Sequence, residues 1–300
     1  MGPTSAGKTE LALALHESLP IEIVSVDSSQ VYRHMDIGTG KPTPAELARA
    51  PHRLIDICDP ADSYSAARFV ADATREIAAI HERGRVPLLV GGTMFYFRAL
   101  EFGLSDLPGA NPEIRARLTQ MAMDRGWPAL HARLAVLDPV AGARIDPNDA
   151  QRIQRALEII EQTGTVMADA TAAKATTSPY RLCKLALWPE DRAVLHARIK
   201  MRFECMIERG LIDEVEALYR RGDLSLALPS MRTVGYRQVW HYLTGTINYN
   251  EMVERAIAAT RQLAKRQLTW LRHYPDVRMF DCTGVVPVAA IKEQVARATA

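Results

Sequence analysis

Residues 1–10 read MGPTSAGKTE, and Gly2 to Thr9 spell G-x-x-x-x-G-K-T. That spacing suits a loop that wraps phosphate. Successive backbone N–H groups and the N-terminus of a following helix converge on one anion. Gly2 and Gly7 allow the tight backbone, Lys8 supplies a cation and Thr9 offers a hydroxyl to Mg²⁺. The helix is visible too, since Leu11, Leu15 and Leu19 recur at helical intervals until Pro20. The candidate phosphate-binding residues are therefore Gly2, Pro3, Thr4, Ser5, Ala6, Gly7, Lys8 and Thr9. Such a loop ordinarily follows a buried strand, yet here it begins at the second residue. The expectation is that Met1 is an internal methionine and that a native N-terminal segment is missing.

Working outward, IEIVSVD at 21–27 reads as a buried strand ending on Asp27. HRLIDICDP repeats that pattern around 53–57, and VPLLVGG at 86–92 is a third strand. Between them, 63–83 is helical, with Phe69, Val70, Ala73, Ile77 and Ile80 on one face and Gly84 as its stop. Strands alternating with helices predict a parallel α/β sheet. From about residue 108 the pattern changes. Asn111-Pro112 is an N-cap followed by proline at the first helical position. Segments 112–125, 127–136 and 148–163 read as helices with no strand between them, and 164–180 reads as a loop rich in Ala, Thr and Ser. Strand texture returns at 183–188 and 277–281, with long helices over 190–209, 211–221 and 249–273. The expected domains are a core of 1–107 plus 181–300 and a helical insertion of 108–180.

The bulk properties exclude several classes. The chain has 300 residues, 48% hydrophobic and 24% charged, a globular composition. No apolar run approaches a membrane span, and no signal peptide is visible. Cys58, Cys183, Cys205 and Cys282 are scattered, which argues against a zinc site and suits a reducing cytoplasm. A net charge of +2 means that any nucleic-acid surface must arise from local clustering.

Asp27 is the one carboxylate that the strand pattern places near the loop, as a metal-shell residue, a general base or simply a turn cap. The third strand ends in Gly91-Gly92-Thr93, where a kinase would carry an acid. The paired glycines favour close approach to a ligand, and Thr93 is either a site residue or the cap of helix MFYFRAL. Arg198 and Arg202 share a helix face and suit a diphosphate. Residues 255–274 carry Arg255, Arg261, Lys265, Arg266 and Arg272 with no acid, beside Trp270, His273 and Tyr274, a plausible RNA-facing stripe. Residue chemistry thus leaves two classes open. One is a small-molecule kinase with a helical lid. The other is a transferase whose loop holds a departing diphosphate and which acts on nucleic acid.

GPTSAGKT, SVDSSQVYRHMDIGTGKP, PHRLID, VGGTMFYF, NDAQRIQRALE, LPSMRTVGYRQ and RQLAKRQLTWLR follow one another in an order that resembles the tRNA dimethylallyltransferase (tRNA isopentenyltransferase) family of bacterial type. The resemblance runs from residue 2 to about 273. It implies a P-loop NTPase-like parallel sheet core with a helical insertion that grips the anticodon stem. It also implies an activity: transfer of a dimethylallyl group from dimethylallyl diphosphate to the exocyclic amine of the adenosine 3′ of the anticodon, in tRNAs reading codons that start with U. Asp27 would be the general base, Thr93 would lie beside the reacting groups, Arg202 would meet the departing diphosphate and Thr9 would ligate Mg²⁺. Contacts to tRNA would come from Asp27, Ser28, Ser29, Gln30, Thr93 and Arg115. A second set comprises Gln151, Arg152, Ile153, Gln154 and Arg155, and a third comprises Arg232, Thr233, Val234, Gly235, Tyr236 and Arg237. The implied compartment is the cytoplasm and the implied state a monomer. An isopentenyltransferase acting on free adenine nucleotides, a small-molecule P-loop kinase and a non-catalytic RNA-binding module are the competing readings.

Overall fold

The structure, a computed structural model, describes residues 1–105, 107–166 and 178–299. The chain divides into two compact units, one of residues 1–101 with 179–300 and one of residues 102–178.

The first unit is built on parallel strands. β1 (Ile21–Val26) lies between β2 (His52–Arg53) and β3 (Val86–Gly91), and its register with β3 runs from Ile21 opposite Val86 to Val26 opposite Gly91. β1 is buried at every residue but Glu22, with Ile21, Ile23, Val24 and Val26 as its apolar positions, as suits a central parallel strand. β2 is much shorter than the sequence suggests. Leu54 and Asp56 take positive φ values of 63° and 57°, which turns the chain off the sheet after two paired residues. A second parallel pair joins β4 (Leu185–Trp188) to β5 (Arg278–Asp281). The Met1 ammonium donates to the Leu185 carbonyl at 2.8 Å, and the Leu187 N–H donates to the Met1 carbonyl at 3.0 Å. The residue ahead of the phosphate loop thus sits strand-like against β4.

The helices of this unit are α1 (Lys8–His16), α2 (Pro44–Arg49), α3 (Ala66–Glu82) and α4 (Met94–Phe102). The second unit holds α5 (Pro112–Arg125), α6 (Trp127–Leu137), α7 (Pro139–Arg144) and α8 (Ala150–Thr163). The first unit resumes with α9 (Arg192–Glu208), α10 (Leu211–Arg220), α11 (Tyr236–Leu243), α12 (Tyr249–Arg272) and α13 (Val288–Thr299). Its main core brings Phe69, Ile77 and Ile80 of α3 together with Leu195, Ile199 and Phe203 of α9, and with Val239 and Trp240 of α11. A separate cluster of Leu15, Ile21, Leu187, Cys282, Ile291 and Val295 packs α1 and α13 against strand residues.

The second unit has its own core, centred on Leu118, Leu130, Leu134, Ile153, Ala156 and Leu157. α5 starts as its sequence requires, with the Asn111 side chain accepting from the N–H groups of Glu113 and Ile114 and Pro112 in the first turn. Residues 167–177, most of the loop read at 164–180, lie outside the described residues. No helix among the described residues is long and apolar enough to cross a membrane.

Candidate active site

The phosphate loop runs from Gly2 into α1 at Lys8. Gly7 is left-handed, with φ of 86°, and Ser5 is too, with φ of 61°. A non-glycine residue held there costs about 1–2 kcal/mol. The N–H groups of Ser5, Ala6, Gly7 and Lys8 have no acceptor among the described residues, and the Ser5 hydroxyl is buried without a partner. Unpaired donors gathered at a helix N-terminus are the makings of an anion site. The Thr4 N–H is the exception. It donates to Gln267 Oε1 at 2.9 Å and is not available to an anion.

Two cations flank the loop. Lys8 Nζ donates to the Pro3 carbonyl at 2.6 Å, and Arg202 Nη1 approaches Thr4 Oγ1 at 3.4 Å. Burial and then repulsion from Arg202 push Lys8 down to about 8. Burial likewise lowers Arg202, while the charge of Asp27 opposes the shift at both cations. Gly40 backs the guanidinium so closely that an added Cβ would fall 1.8 Å from Nη2. Arg198, one helical turn before Arg202, does not join it. Its guanidinium donates to the carbonyls of Cys282, Thr283 and Gly284, so it anchors the segment after β5, contrary to the reading of two arginines on one diphosphate.

The acceptor side begins where β1 ends. Asp27 Oδ1 accepts from the Ser29 N–H at 2.9 Å, the Ser29 hydroxyl at 2.6 Å and, more loosely, the Gln30 N–H. Oδ2 has no partner among the described residues. One oxygen thus caps the turn, as one of the sequence readings has it, and the cap leaves Oδ2 unused. Gln30 Nε2 donates to the Gly40 carbonyl at 3.2 Å, tying this turn to the loop behind Arg202. Thr93 Oγ1 accepts from the Ser28 N–H at 3.0 Å, so its side chain serves the Asp27 turn and not its own helix. On their Cβ side, Gly91 and Gly92 closely approach protein. A Cβ on Gly91 would lie 2.0 Å from the Val26 carbonyl oxygen, and one on Gly92 would lie 2.5 Å from Gln267 Nε2.

The remaining candidates fall elsewhere. Arg232 and Arg237 are exposed, but Tyr236 is fully buried with its hydroxyl on Glu214, which also accepts from the N–H groups of Asp36, Ile37 and Gly38. On α12, Arg261, Lys265 and Arg266 are exposed with no acidic partner among the described residues. In the second unit Gln151 and Arg152 are exposed, whereas Ile153 is a core residue. Arg115 and Arg155 both bind the fully buried Glu158, and Gln154 bonds the Arg115 carbonyl and Thr119. Sequence reading missed Gln267, Glu214 and Gly40. For Gln267 a signal existed: Ala264, Gln267, Leu268 and Leu271 form a buried stripe at helical spacing, interrupted by one amide.

Among the described residues no group of three His, Cys, Asp or Glu side chains could hold a metal ion. Thr9, in the first turn of α1, makes no side-chain hydrogen bond among them. Mg²⁺ keeps waters and uses substrate phosphates as ligands. This donor set therefore suits an ion carried in with a diphosphate, not a protein cage.

The family model described as IPP transferase matches residues 30–274, and one described as isopentenyl transferase matches residues 1–58. The chain belongs to the IPP transferase family. Its sequence is 59% identical over 292 residues to the tRNA dimethylallyltransferase of Thioalkalivibrio sulfidiphilus, covering 97% of this chain and 91% of that one. It is 60% identical over 286 residues to the tRNA dimethylallyltransferase of Burkholderia vietnamiensis, covering 94% and 88%. The crystal structure of the full-length tRNA isopentenylpyrophosphate transferase from Bacillus halodurans superposes with a TM-score of 0.73 at 40% identity, over 99% of this chain and 94% of that one. The α/β core with its helical second unit is thus the fold of an IPP transferase. In this IPP transferase, the phosphate loop, the Asp27 turn and Thr93 lie within the first unit.

Proposed function

We propose that this chain transfers the dimethylallyl group of dimethylallyl diphosphate to the exocyclic amine of the adenosine 3′ of the anticodon, in tRNAs reading codons that start with U. It acts in the cytoplasm, as a monomer. The observation that carries this reading is the pairing of an unsatisfied N–H nest, flanked by Lys8 and Arg202, with a carboxylate whose charge both cations feel. One end can hold a leaving diphosphate, and the other can take a proton.

The N–H groups of Ser5 to Lys8, with Lys8 and Arg202, neutralise the diphosphate as its bond to the allylic carbon breaks. Thr9 would hold Mg²⁺, which supplies charge neutralisation to the leaving group when bound. The adenine amine forms the new bond to that carbon and loses a proton. Asp27 Oδ2 accepts it as general base, a contribution of about 10²–10⁴ in rate. Thr93 keeps the Asp27 turn in place through the Ser28 N–H. The base must leave the anticodon-loop stack to reach this carboxylate. The exposed cations Arg232, Arg237, Arg261 and Lys265 suit the RNA backbone.

The test is transfer of labelled dimethylallyl diphosphate to an anticodon stem-loop bearing A at the target position, beside AMP and with labelled ATP in parallel. Label on the stem-loop alone is expected. Label on AMP alone would make the chain a free-nucleotide enzyme, and phosphoryl transfer from ATP would make it a kinase.

A further inference from the structure

The diphosphate loop and the acceptor-side turn are not neighbours in any strand pair that would set their spacing. One buried side chain joins them. Gln267, 9% exposed on α12, accepts from the Thr4 N–H through Oε1 at 2.9 Å and donates from Nε2 to the Gly92 carbonyl at 2.9 Å. These partners determine the amide's orientation, because the flipped amide would set oxygen against a carbonyl and nitrogen against an N–H. Glutamine presents one acceptor and one donor across such a gap without a charge and without depending on pH. Gly92 carries no Cβ, and one placed there would lie 2.5 Å from Nε2.

The bridge completes a ring. Thr4 meets Arg202, Arg202 packs on Gly40, and the Gly40 carbonyl accepts from Gln30. Gln30 lies in the turn held by Asp27, Ser28 of that turn bonds Thr93, and Thr93 follows Gly92. Each link other than Gln267 lies within the leaving-group side or the acceptor side, or runs through the long Arg202 contact. The Gly2 carbonyl also lies against Gly92, 3.3 Å from where a Cβ would sit, but among the described residues Gln267 is the side chain that hydrogen-bonds both halves, and it takes Thr4 out of the anion nest to do so.

We propose that Gln267 is a positioning residue, which sets the distance between the phosphate loop and the Thr93–Asp27 turn and so places the allylic carbon against the incoming amine. The inference rests on the prenyl-transfer reading above. Misplacement of reacting groups by about 1 Å costs about 10²-fold in rate while leaving each substrate's own contacts intact. Loss of the bridge should therefore appear in kcat, not in either KM.

The experiment compares wild type, Gln267→Leu and Gln267→Glu in full-length protein. Thermal melts accompany kcat and KM for dimethylallyl diphosphate and for an anticodon stem-loop. Gln267→Leu should lower kcat about 10²-fold with both KM values within about threefold. Gln267→Glu keeps the acceptor for Thr4 but regains a donor to Gly92 only when its carboxyl is protonated. Its activity relative to wild type should rise as pH falls from 8.5 to 6. Lys8, at about 8 in the free protein, is present in both proteins, so the ratio to wild type cancels its titration. A Gln267→Leu kcat within threefold of wild type, or a loss confined to the stem-loop KM, overturns the proposal. If Gln267→Leu does not fold, the Gln267→Glu ratio decides, and a flat or falling ratio overturns it. A wild type that transfers nothing sinks the prenyl-transfer reading and takes this inference with it, whereas an active wild type beside an equally active Gln267→Leu sinks the inference alone.

Discussion

Thr93 Oγ1 accepts the N–H of Ser28 at 3.0 Å, 65 residues away along the chain, and so fastens the second residue beyond β3 to the residue after Asp27. The contact uses the ends of two paired strands, where the Thr93 N–H also donates to the Val26 carbonyl. Thr93→Val removes the acceptor while keeping the shape. A neutral hydrogen bond is worth about 1 kcal/mol, so single-turnover transfer should slow about fivefold to tenfold, and Thr93→Ser should recover it. Equal rates for wild type and Thr93→Val would leave Thr93 no part in holding the turn.

Asp27→Asn keeps the Oδ1 acceptor that caps the turn, so the fold should persist with an unchanged melt. Turnover should fall by about 10²–10⁴, with stem-loop affinity within a few-fold. A rate near wild type would take the base role away from Asp27.

Lys8 is held at about 8 in the free protein by burial and by Arg202. A bound diphosphate favours the charged amine and raises that value. Above pH 8 the free enzyme has lost the proton that the complex needs. Binding then takes up a proton, and affinity for the diphosphate falls about tenfold per pH unit. Calorimetry in buffers of different ionisation enthalpy reads that proton directly. No uptake at pH 9 would show that Lys8 stays charged without its ligand.

Glu214 accepts three successive backbone N–H groups, those of Asp36, Ile37 and Gly38, and the Tyr236 hydroxyl as well. Burial, then the charge of Glu214, drives the Tyr236 hydroxyl well above its ordinary range, so it stays a donor at any working pH. Glu214→Ala strands several donors and should destabilise the protein by about 2–3 kcal/mol, whereas Tyr236→Phe should cost about 1 kcal/mol. Urea unfolding of both variants checks the ranking, and the reverse order would contradict it.

Glu158 is fully buried in the second unit between Arg115 and Arg155. Burial pushes its carboxyl up, but the two arginines and the Asn111 N–H together outweigh burial and hold it below its ordinary value of 4.5. A depressed carboxylate stabilises the fold above pH 4.5, and that stability drains away as pH falls below it. Glu158→Gln should cost about 3 kcal/mol at neutral pH and flatten the loss on acidification. An acid-unfolding curve identical to wild type would remove Glu158 from the account.

Whatever depends on neighbours along the chain could be read from the sequence. The phosphate loop, the cap at Asn111, the strand at 21–26 and the helices over 112–125 and 249–272 follow from local periodicity, capping and backbone preference, which act over a few residues. The family followed from the order of its motifs. Tertiary structure decided what each side chain meets. Arg198 and Arg202 share a helix face, yet one holds the carbonyls of 282–284 and the other reaches the phosphate loop. The strand read at 53–57 ends at Arg53, because its length depends on when the chain leaves its partner, not on its own composition. Gln267 passed as one polar residue in a basic helix, since its two partners stand 263 and 175 residues away. A contact across that separation leaves no periodic trace, because only the folded core brings Thr4, Gly92 and α12 to one place.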